Sequence, residues 1–341
     1  MSKVTIYDVA KRAGVSTATV SKVLNGTGRV GKETIARVER AVEELQYRPN
    51  LLASALKKKR TFTLGLLVPD VVNPFASLLI RAIEEVALSY NYSVLACSTD
   101  NKQEREEKLV DTLLSKRFDG IIIASSEFSS ESAIQQLQRQ DVRAVFVDRV
   151  VTDSPYPVFA TDHYLGSYLV TEHLIQLGHR KLAVFLEPLY LRSSLERLRG
   201  FSAALEAYGI AQNSFQVYSG GFGADAGYAL AQQILQREDL PTAIVATTDL
   251  IAVGVLQKLH EVGIVVPRDM SLVGYDDIPL AGMAAPPLTT VAQPVIEMSK
   301  LVVAALLSEE AQEITTTLLP PKLVVRNSTA APESYVVAER E

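Results

Sequence analysis

Cysteine is nearly absent from this 341-residue chain. Cys97 is the only one, so no intramolecular disulfide holds the fold, and its neighbours Leu95 and Ala96 predict a buried strand residue instead of a reactive thiol. Histidine is scarce as well: His163, His173, His179 and His260 are scattered, and neither a G-x-S-x-G elbow nor an H-E-x-x-H zinc-ligand pair occurs. Hydrolase and zinc-peptidase chemistry therefore has no support, and neither a metal nor another cofactor is expected. His179 follows Gly178 at a predicted helix end, where a capping or dipole role fits better than catalysis. No run reaches the ~18 uninterrupted apolar residues that a membrane span requires, and the first residues lack the apolar region of an export signal. The expectation is a cytoplasmic protein without a membrane partner, in which Asn25-Gly26-Thr27 has no meaning as a glycosylation site.

What is present is unevenly distributed. The net charge of −5 conceals a basic head, residues 1–60, with 13 Lys/Arg against 5 Asp/Glu. The remainder holds 21 basic against 34 acidic residues. A small basic head on a large acidic body implies that only the head meets a polyanion. With nearly half its residues apolar, the chain can fill the cores of the two or three domains its length predicts.

Thr5 to Asn25 reads as two short helices joined by a tight turn. Thr5 and Asp8 have capping-box spacing, and Ile6, Val9, Ala10 and Ala13 form one apolar stripe. Gly14 permits the positive φ that ends the first helix. Ser16 is placed to accept from the amide near Thr19 and so cap the second helix. There Val20, Val23 and Leu24 point inward, which turns Thr17, Ala18, Ser21 and Lys22 outward. This is the pattern of a helix-turn-helix that enters the DNA major groove; the plainer alternative is a packing hairpin of another three-helix domain. A third helix, from about Lys32 to Gln46, adds Ile35, Val38, Val42 and Leu45 to the core. Gly26, Gly28 and Gly31 match G-x-G-x-x-G by spacing, but the loop lies between helices and not after a strand.

Pro49 stops the third helix, and Asn50 can cap a short segment from Leu51 to Lys59. Leu51, Leu52, Ala55 and Leu56 are apolar and Lys57 to Arg60 basic, which suits a hinge that becomes helical on DNA or a plain basic linker. From Thr61 the period changes. Strands are predicted at Thr63–Val68, Ser93–Ser98, Gly120–Ala124 and Ala144–Val147, alternating with amphipathic helices at Phe75–Leu88, Arg105–Lys116 and Ser130–Arg139. After Asp162 the alternation restarts. Its helices are Gly166–Leu177, Leu195–Tyr208, Gly227–Gln236 and Leu250–Val262, and its strands Leu182–Leu186, Gln216–Tyr218, Ala243–Ala246 and Ser271–Tyr275. Two such halves in tandem are doubly wound parallel sheets with a ligand cleft at the carboxyl ends of the strands. The tail from Gln293, with a helix through Leu307 and a strand at Lys322–Arg326, is expected to cross back between the halves. Beyond Asn327 apolar periodicity stops, and a frayed end is predicted.

These pieces resemble the LacI/GalR family of bacterial transcriptional regulators: TIYDVAKRAGVSTATVSKVLNG, YRPNLLASALK, LGLLVPDVVNPF, DGIII, LIQLGHRKLA, RLRGF, PTAIVATTDLIAVGVL, VPRDMSLVGYDD and PPLTTVAQP, spread from about Val4 to Asn327. The resemblance implies an α/β chain. An all-α helix-turn-helix DNA-binding domain (1–48) and a hinge (49–60) precede two doubly wound parallel-sheet subdomains of periplasmic-binding-protein type (61–327), with 328–341 as the tail. The N-subdomain would comprise 61–161 plus 293–319, and the C-subdomain 162–292 plus 320–327.

By matching positions, Thr17, Ala18 and Lys22 would face base edges, while Thr5, Tyr7, Ser16, Thr19, Ser21 and Asn25 would hold phosphates. Asn50, Ala53, Leu56 and Lys57 belong to the hinge, with Leu56 wedging the minor groove or else packing on protein. Phe75, Asp148, Arg197, Phe222, Asp249 and Asp276 would line the cleft, a set suited to a polyhydroxylated effector. Each has a structural alternative: Phe75 as core, Asp148 as a cap, Asp249 as the cap of the helix at Leu250. Arg149 and Arg192 are two further cations; inside the cleft either would select a sugar acid or phosphate, and outside it each is a solvated charge. The implied partners are a palindromic double-stranded operator, a sugar, sugar acid or sugar phosphate, and a second copy of the chain.

This sequence departs from the family where Gly31 replaces a polar cap and Thr248 an asparagine. It has no leucine-heptad tail, so a dimer is expected. No corepressor-binding signature is evident around Met298–Leu306, and no phosphoprotein partner is expected. The implied function is a ligand-controlled repressor of carbohydrate or sugar-acid utilisation, not an enzyme. A regulator answering a nucleobase, or a solute-binding protein of the same fold, is the alternative.

Overall fold

The computed structural model describes residues 4–24, 26–47, 60–124, 131–148, 154–211, 214–308, 310 and 314–332. The chain separates into two compact units, Met1–Thr61 and Phe62–Glu341. The smaller contains α1 (Ile6–Ala13), α2 (Thr17–Leu24) and α3 (Lys32–Glu44). Val9, Ala10, Ala13, Val20, Val38 and Ala41 are its buried core, with Ile6, Val23, Leu24, Val42 and Leu45 packed around them. Arg12 on α1 bonds Glu44 on α3 (Nε–Oε2 2.7 Å), tying the first helix to the third.

The larger unit holds two parallel sheets. The first lobe contributes β1 (Thr63–Val68), α4 (Pro74–Ser89), β2 (Ser93–Ser98), α5 (Gln103–Ser115), β3 (Gly120–Ile123), α6 (Glu131–Arg139), β4 (Ala144–Val147) and β5 (Val158–Thr161). The second contributes α7 (His163–Gln176), β6 (Leu182–Leu186), α8 (Arg192–Ala207), β7 (Phe215–Ser219), α9 (Gly223–Ile234), β8 (Ala243–Ala246), α10 (Asp249–Glu261), β9 (Ser271–Val273) and α11 (Pro279–Met283). The chain ends with β10 (Thr290–Ala292), α12 (Val295–Leu307), β11 (Thr316–Leu319) and β12 (Lys322–Val324). Strand order is β11-β5-β4-β3-β1-β2 in one sheet and β7-β6-β8-β9 in the other, while β10 and β12 form an antiparallel pair.

Helices cover both faces of each sheet, which is why the strands are near-continuous apolar runs. Along β1, Leu64, Leu66 and Val68 face α4 and α12, whereas Leu67 faces α5 and α6. The same alternation in the second lobe sends Ala183 and Phe185 toward α9 and α10, and Leu182, Val184 and Leu186 toward α7 and α8. The helix pairs meet at backbone contact. A Cβ at Gly254 would lie 1.8 Å from the Ala224 carbonyl oxygen, and one at Gly227 2.0 Å from that of Ile251. Glycine at both positions lets α9 and α10 touch directly.

Sequence periodicity misses four elements: β5, α11, β10 and β11. Each of the three strands is half or more Thr or Ala, so no apolar run stands out, and β11 is an edge strand exposed on alternate residues. β5 and β11 pair in parallel, so the returning tail completes the first sheet. The frayed end predicted from 328 onward is corrected by the structure as far as residue 332. Ser328 is fully buried: its carbonyl accepts from the Leu272 amide (2.9 Å) and its Oγ from the Thr289 amide (2.8 Å). The cause is polar zipping along the second lobe, which carries no hydrophobic signature. Residues 333–341 lie outside the described set. Cys97 is half-exposed rather than buried, and its thiol is pushed up by partial burial. Among the described residues no helix is long and apolar enough to cross a membrane.

Candidate DNA-reading head and effector cleft

The head is built by local chemistry. Asp8 Oδ2 accepts from the Thr5 amide (2.8 Å) and hydroxyl (2.7 Å), bonds that hold the carboxyl below its usual range and start α1. Gly14 closes that helix at φ 66°, a left-handed conformation that costs other residues ~1–2 kcal/mol. Ser16 Oγ then accepts from the Thr19 amide (3.2 Å) and shares a hydrogen bond with its hydroxyl (3.0 Å), capping α2. With Val20 buried, Ala18 and Lys22 stand exposed and Thr17 and Ser21 half-exposed on the opposite face. The aliphatic stem of Lys22 lies beside Gly28, where a Cβ would sit 3.5 Å from its Cδ. Tyr7 is 73% exposed and Thr5 is also on the surface. Asn25 and the hinge candidates Asn50, Ala53, Leu56 and Lys57 lie outside the described residues.

In the larger unit the chemistry gathers where strands end. Asp148 follows β4, Thr161 ends β5, Glu187 follows β6, Thr247 follows β8, Tyr275 and Asp276 come just after β9, and Gln293 follows β10. Arg197, from the second turn of α8, is 4% exposed at the centre. Its Nη1 donates to the Thr247 carbonyl (2.7 Å) and lies 3.5 Å from Glu187 Oε2; its Nη2 lies 3.8 Å from Asp276 Oδ1. The guanidinium carbon stands 4.1 Å over the Tyr275 ring, whose hydroxyl pairs with His163 Nδ1 at 3.1 Å. Arg197 Nε is buried and meets no acceptor.

A polar relay joins this cluster to the first lobe. Thr161 Oγ1 donates to Gln293 Oε1 (2.6 Å), and Gln293 Nε2 donates to Asp276 Oδ1 (2.7 Å). Burial pushes Asp276 well above the ordinary carboxylate range although Arg197 opposes the shift, and burial likewise raises Glu187. Arg197 is raised because the attraction of Tyr275, Asp276, Glu187 and Asp148 outweighs its own burial. His163 is held neutral, its basicity lowered by burial and then by Arg197. Asp148 (φ 65°) and Asp276 (φ 108°) both occupy positive-φ conformations, strain of ~1–3 kcal/mol each that the surrounding fold must impose.

The predicted cleft residues thus separate. Asp148, Arg197 and Asp276 come together. Phe75 is buried in the first turn of α4, beneath an Asn73 cap, and Phe222 is 48% exposed at the start of α9. Asp249 is the first residue of α10 and not its cap. Its residue has no exposed surface, and its two oxygens accept from the Thr290 hydroxyl (2.6 Å) and the Ile278 amide (2.9 Å). It ties α10 to Ile278 and to Thr290 of β10, and burial raises its pKa to about 7. The helix cap is its neighbour Thr248, whose hydroxyl accepts from the Ile251 amide (3.2 Å). Arg192 is exposed at the start of α8, and Arg149 lies outside the described residues. His163, Glu187, Tyr275, Gln293 and Thr161 were not singled out for the cleft from sequence. The signal that could have found them is their place just beyond, or at the last residue of, predicted or short strands.

His179 is not at a solvent-facing helix end. Nδ1 pairs with Thr242 Oγ1 (2.8 Å), and Nε2 with Ser271 Oγ (3.0 Å) and the Ala330 carbonyl (2.9 Å), so the ring fastens the chain's returning end.

Comparison with known proteins places both parts of the chain in known domain families. Residues 5–50 match the family described as bacterial regulatory proteins, lacI family, and residues 171–329 match the periplasmic binding protein-like domain. The chain is 37% identical over 333 residues to the HTH-type transcriptional regulator DegA of Bacillus subtilis, spanning 96% of this chain and 98% of that protein. It is 36% identical to the ribose operon repressor of Halalkalibacterium halodurans over 97% of this chain and 98% of that protein. The lac repressor dimer bound to operator and the anti-inducer ONPF superposes with a TM-score of 0.85 at 32% identity, over 97% of this chain and 100% of that one. The chain therefore belongs to the lacI family of bacterial regulatory proteins, and is a DNA-binding transcriptional regulator and not an enzyme.

Proposed function

We propose that this regulator acts in the cytoplasm as a homodimer that represses a carbohydrate-utilisation operon, with operator affinity set by a sugar bound around Arg197. The observation that carries the reading is the under-bonded guanidinium itself. A buried donor without an acceptor, ringed by Asp276, Glu187 and Asp148 at the strand ends, offers the alternating donors and acceptors that hydroxyl groups satisfy. Asp148, Arg197 and Asp276 take the hydroxyls, with Phe75 and Phe222 supplying apolar surface. In the head, Thr17, Ala18 and Lys22 read base edges and Thr5, Tyr7, Ser16, Thr19, Ser21 and Asn25 hold phosphates.

The relay Thr161–Gln293–Asp276–Arg197 gives effector binding a route to the arrangement of the two lobes, because it joins a first-lobe strand to the binding cation. Coupling requires that effector and DNA each prefer one of two states, with a typical coupling free energy of ~1–3 kcal/mol. A thermal-shift screen of sugars, sugar acids, sugar phosphates and nucleobases tests the proposal. A true effector at a hundredfold its Kd stabilises the body by ~2.7 kcal/mol and changes operator affinity; a compound that binds without changing DNA affinity would contradict it.

A further inference from the structure

Glu187 is the one acid of the cluster that follows a strand of the second lobe on the Arg197 Nη1 side, and its side chain is only 15% exposed. With Asp276 on the Nη2 side, a single guanidinium faces two flanking carboxyls, and Asp148 acts on it as well. Among the described residues, the neutral ring of His163 adds no positive charge and Arg192 stands exposed at the start of α8.

A ligand carboxylate or phosphate that takes an oxygen to Arg197, at its unpartnered Nε or in place of an acid, adds a further negative charge beside Glu187 and Asp276. An acid displaced from the guanidinium would be a buried charge without its counter-ion, which is strongly unfavourable. Glu187 and Asp276 already resist ionisation, and a further anion beside them increases that resistance, whereas an amine reduces it. Ligand hydroxyls face neither penalty: they donate to the acids and accept from the unpartnered Nε of Arg197.

We infer that Glu187 is a charge filter, and that the effector is a neutral polyol or an amine-bearing sugar, to the exclusion of sugar acids and sugar phosphates. This rests on the reading of the cleft as a sugar site. The test is thermal shift and titration of the full chain with D-ribose, D-glucose, cellobiose and D-glucosamine, each beside the corresponding acid or phosphate where one exists, such as D-gluconate and glucose 6-phosphate. A neutral or amine-bearing sugar is expected to bind at least ~tenfold more tightly than its anionic counterpart, and Glu187→Gln to shrink that ratio by ~threefold or more. Glu187→Asp, which keeps the charge, is expected to restore most of it. The wild-type ratio tests the inference even where a variant fails to fold. Tighter binding of an anion than of its neutral parent, or an unchanged ratio in a folded Glu187→Gln protein, overturns the filter and leaves the sugar site standing. No binding by any of these compounds overturns the sugar site and the filter with it.

Discussion

Arg197 is the residue around which the polar groups at the strand ends gather. It is buried, holds one strong hydrogen bond to the Thr247 carbonyl, a long one with His163 and ion pairs to Glu187 and Asp276, and retains a free Nε. Replacing it with alanine removes the donors a polyol needs. Arg197→Ala is expected to abolish effector-induced thermal stabilisation, while operator binding without effector remains measurable. Asp249 supports a pH prediction. Its folded pKa of about 7 stands above the ordinary 3.8, so the native state holds a proton that the unfolded state has already released. Stability from this residue is therefore fully present below about pH 4 and is lost as pH rises toward 7, by at most ~4 kcal/mol. Denaturant titrations across pH 4–7 should show a shallower decline in Asp249→Asn than in the parent. Arg197 and Asp276 were legible from sequence as charged residues at motif positions. The cap of α10 was not legible, because two adjacent residues, Thr248 and Asp249, both suit a helix start, and only packing decides which caps and which turns inward.

Strands were legible in proportion to how many bulky apolar residues run together in them. LGLLV, GIII, AVFV, LAVFL and AIVA announce themselves because both faces of each strand are covered. The short VFAT, TTLL and TVA segments do not, since half or more of each is Thr or Ala and no apolar run stands out, although VFAT is wholly buried. The residue 328–332 stretch was opaque for the same reason. Contacts between helices leave the clearest experimental handle. A methyl group at Gly254 has no room before the Ala224 carbonyl, and α9 and α10 must separate to admit it. Gly254→Ala is expected to destabilise the larger unit by ~2–3 kcal/mol in denaturant unfolding, despite alanine's better helix propensity. On α2, Lys22→Ala is expected to relax preference at one base position by ~1 kcal/mol among sites selected from random duplex DNA. A uniform loss at every site would assign Lys22 to phosphate binding instead.

At the scale of the molecule, a head carrying 13 basic and 5 acidic residues contrasts with a body in which acids outnumber bases. Operator affinity should consequently fall steeply with salt, as neutralised phosphates release counter-ions, whereas effector affinity for a largely neutral ligand should change little. The division into a DNA-binding head and a two-lobed body was visible in charge and periodicity before any coordinates. The relay between lobes was not, because Thr161, Gln293 and Asp276 are far apart in sequence and ordinary in type. The most direct measurement is operator affinity with and without saturating effector, in the parent and in Arg197→Ala. The parent should show a change of ~5- to 150-fold that Arg197→Ala lacks. An equal change in both proteins, or none in the parent with effector demonstrably bound, would contradict control from the Arg197 cleft.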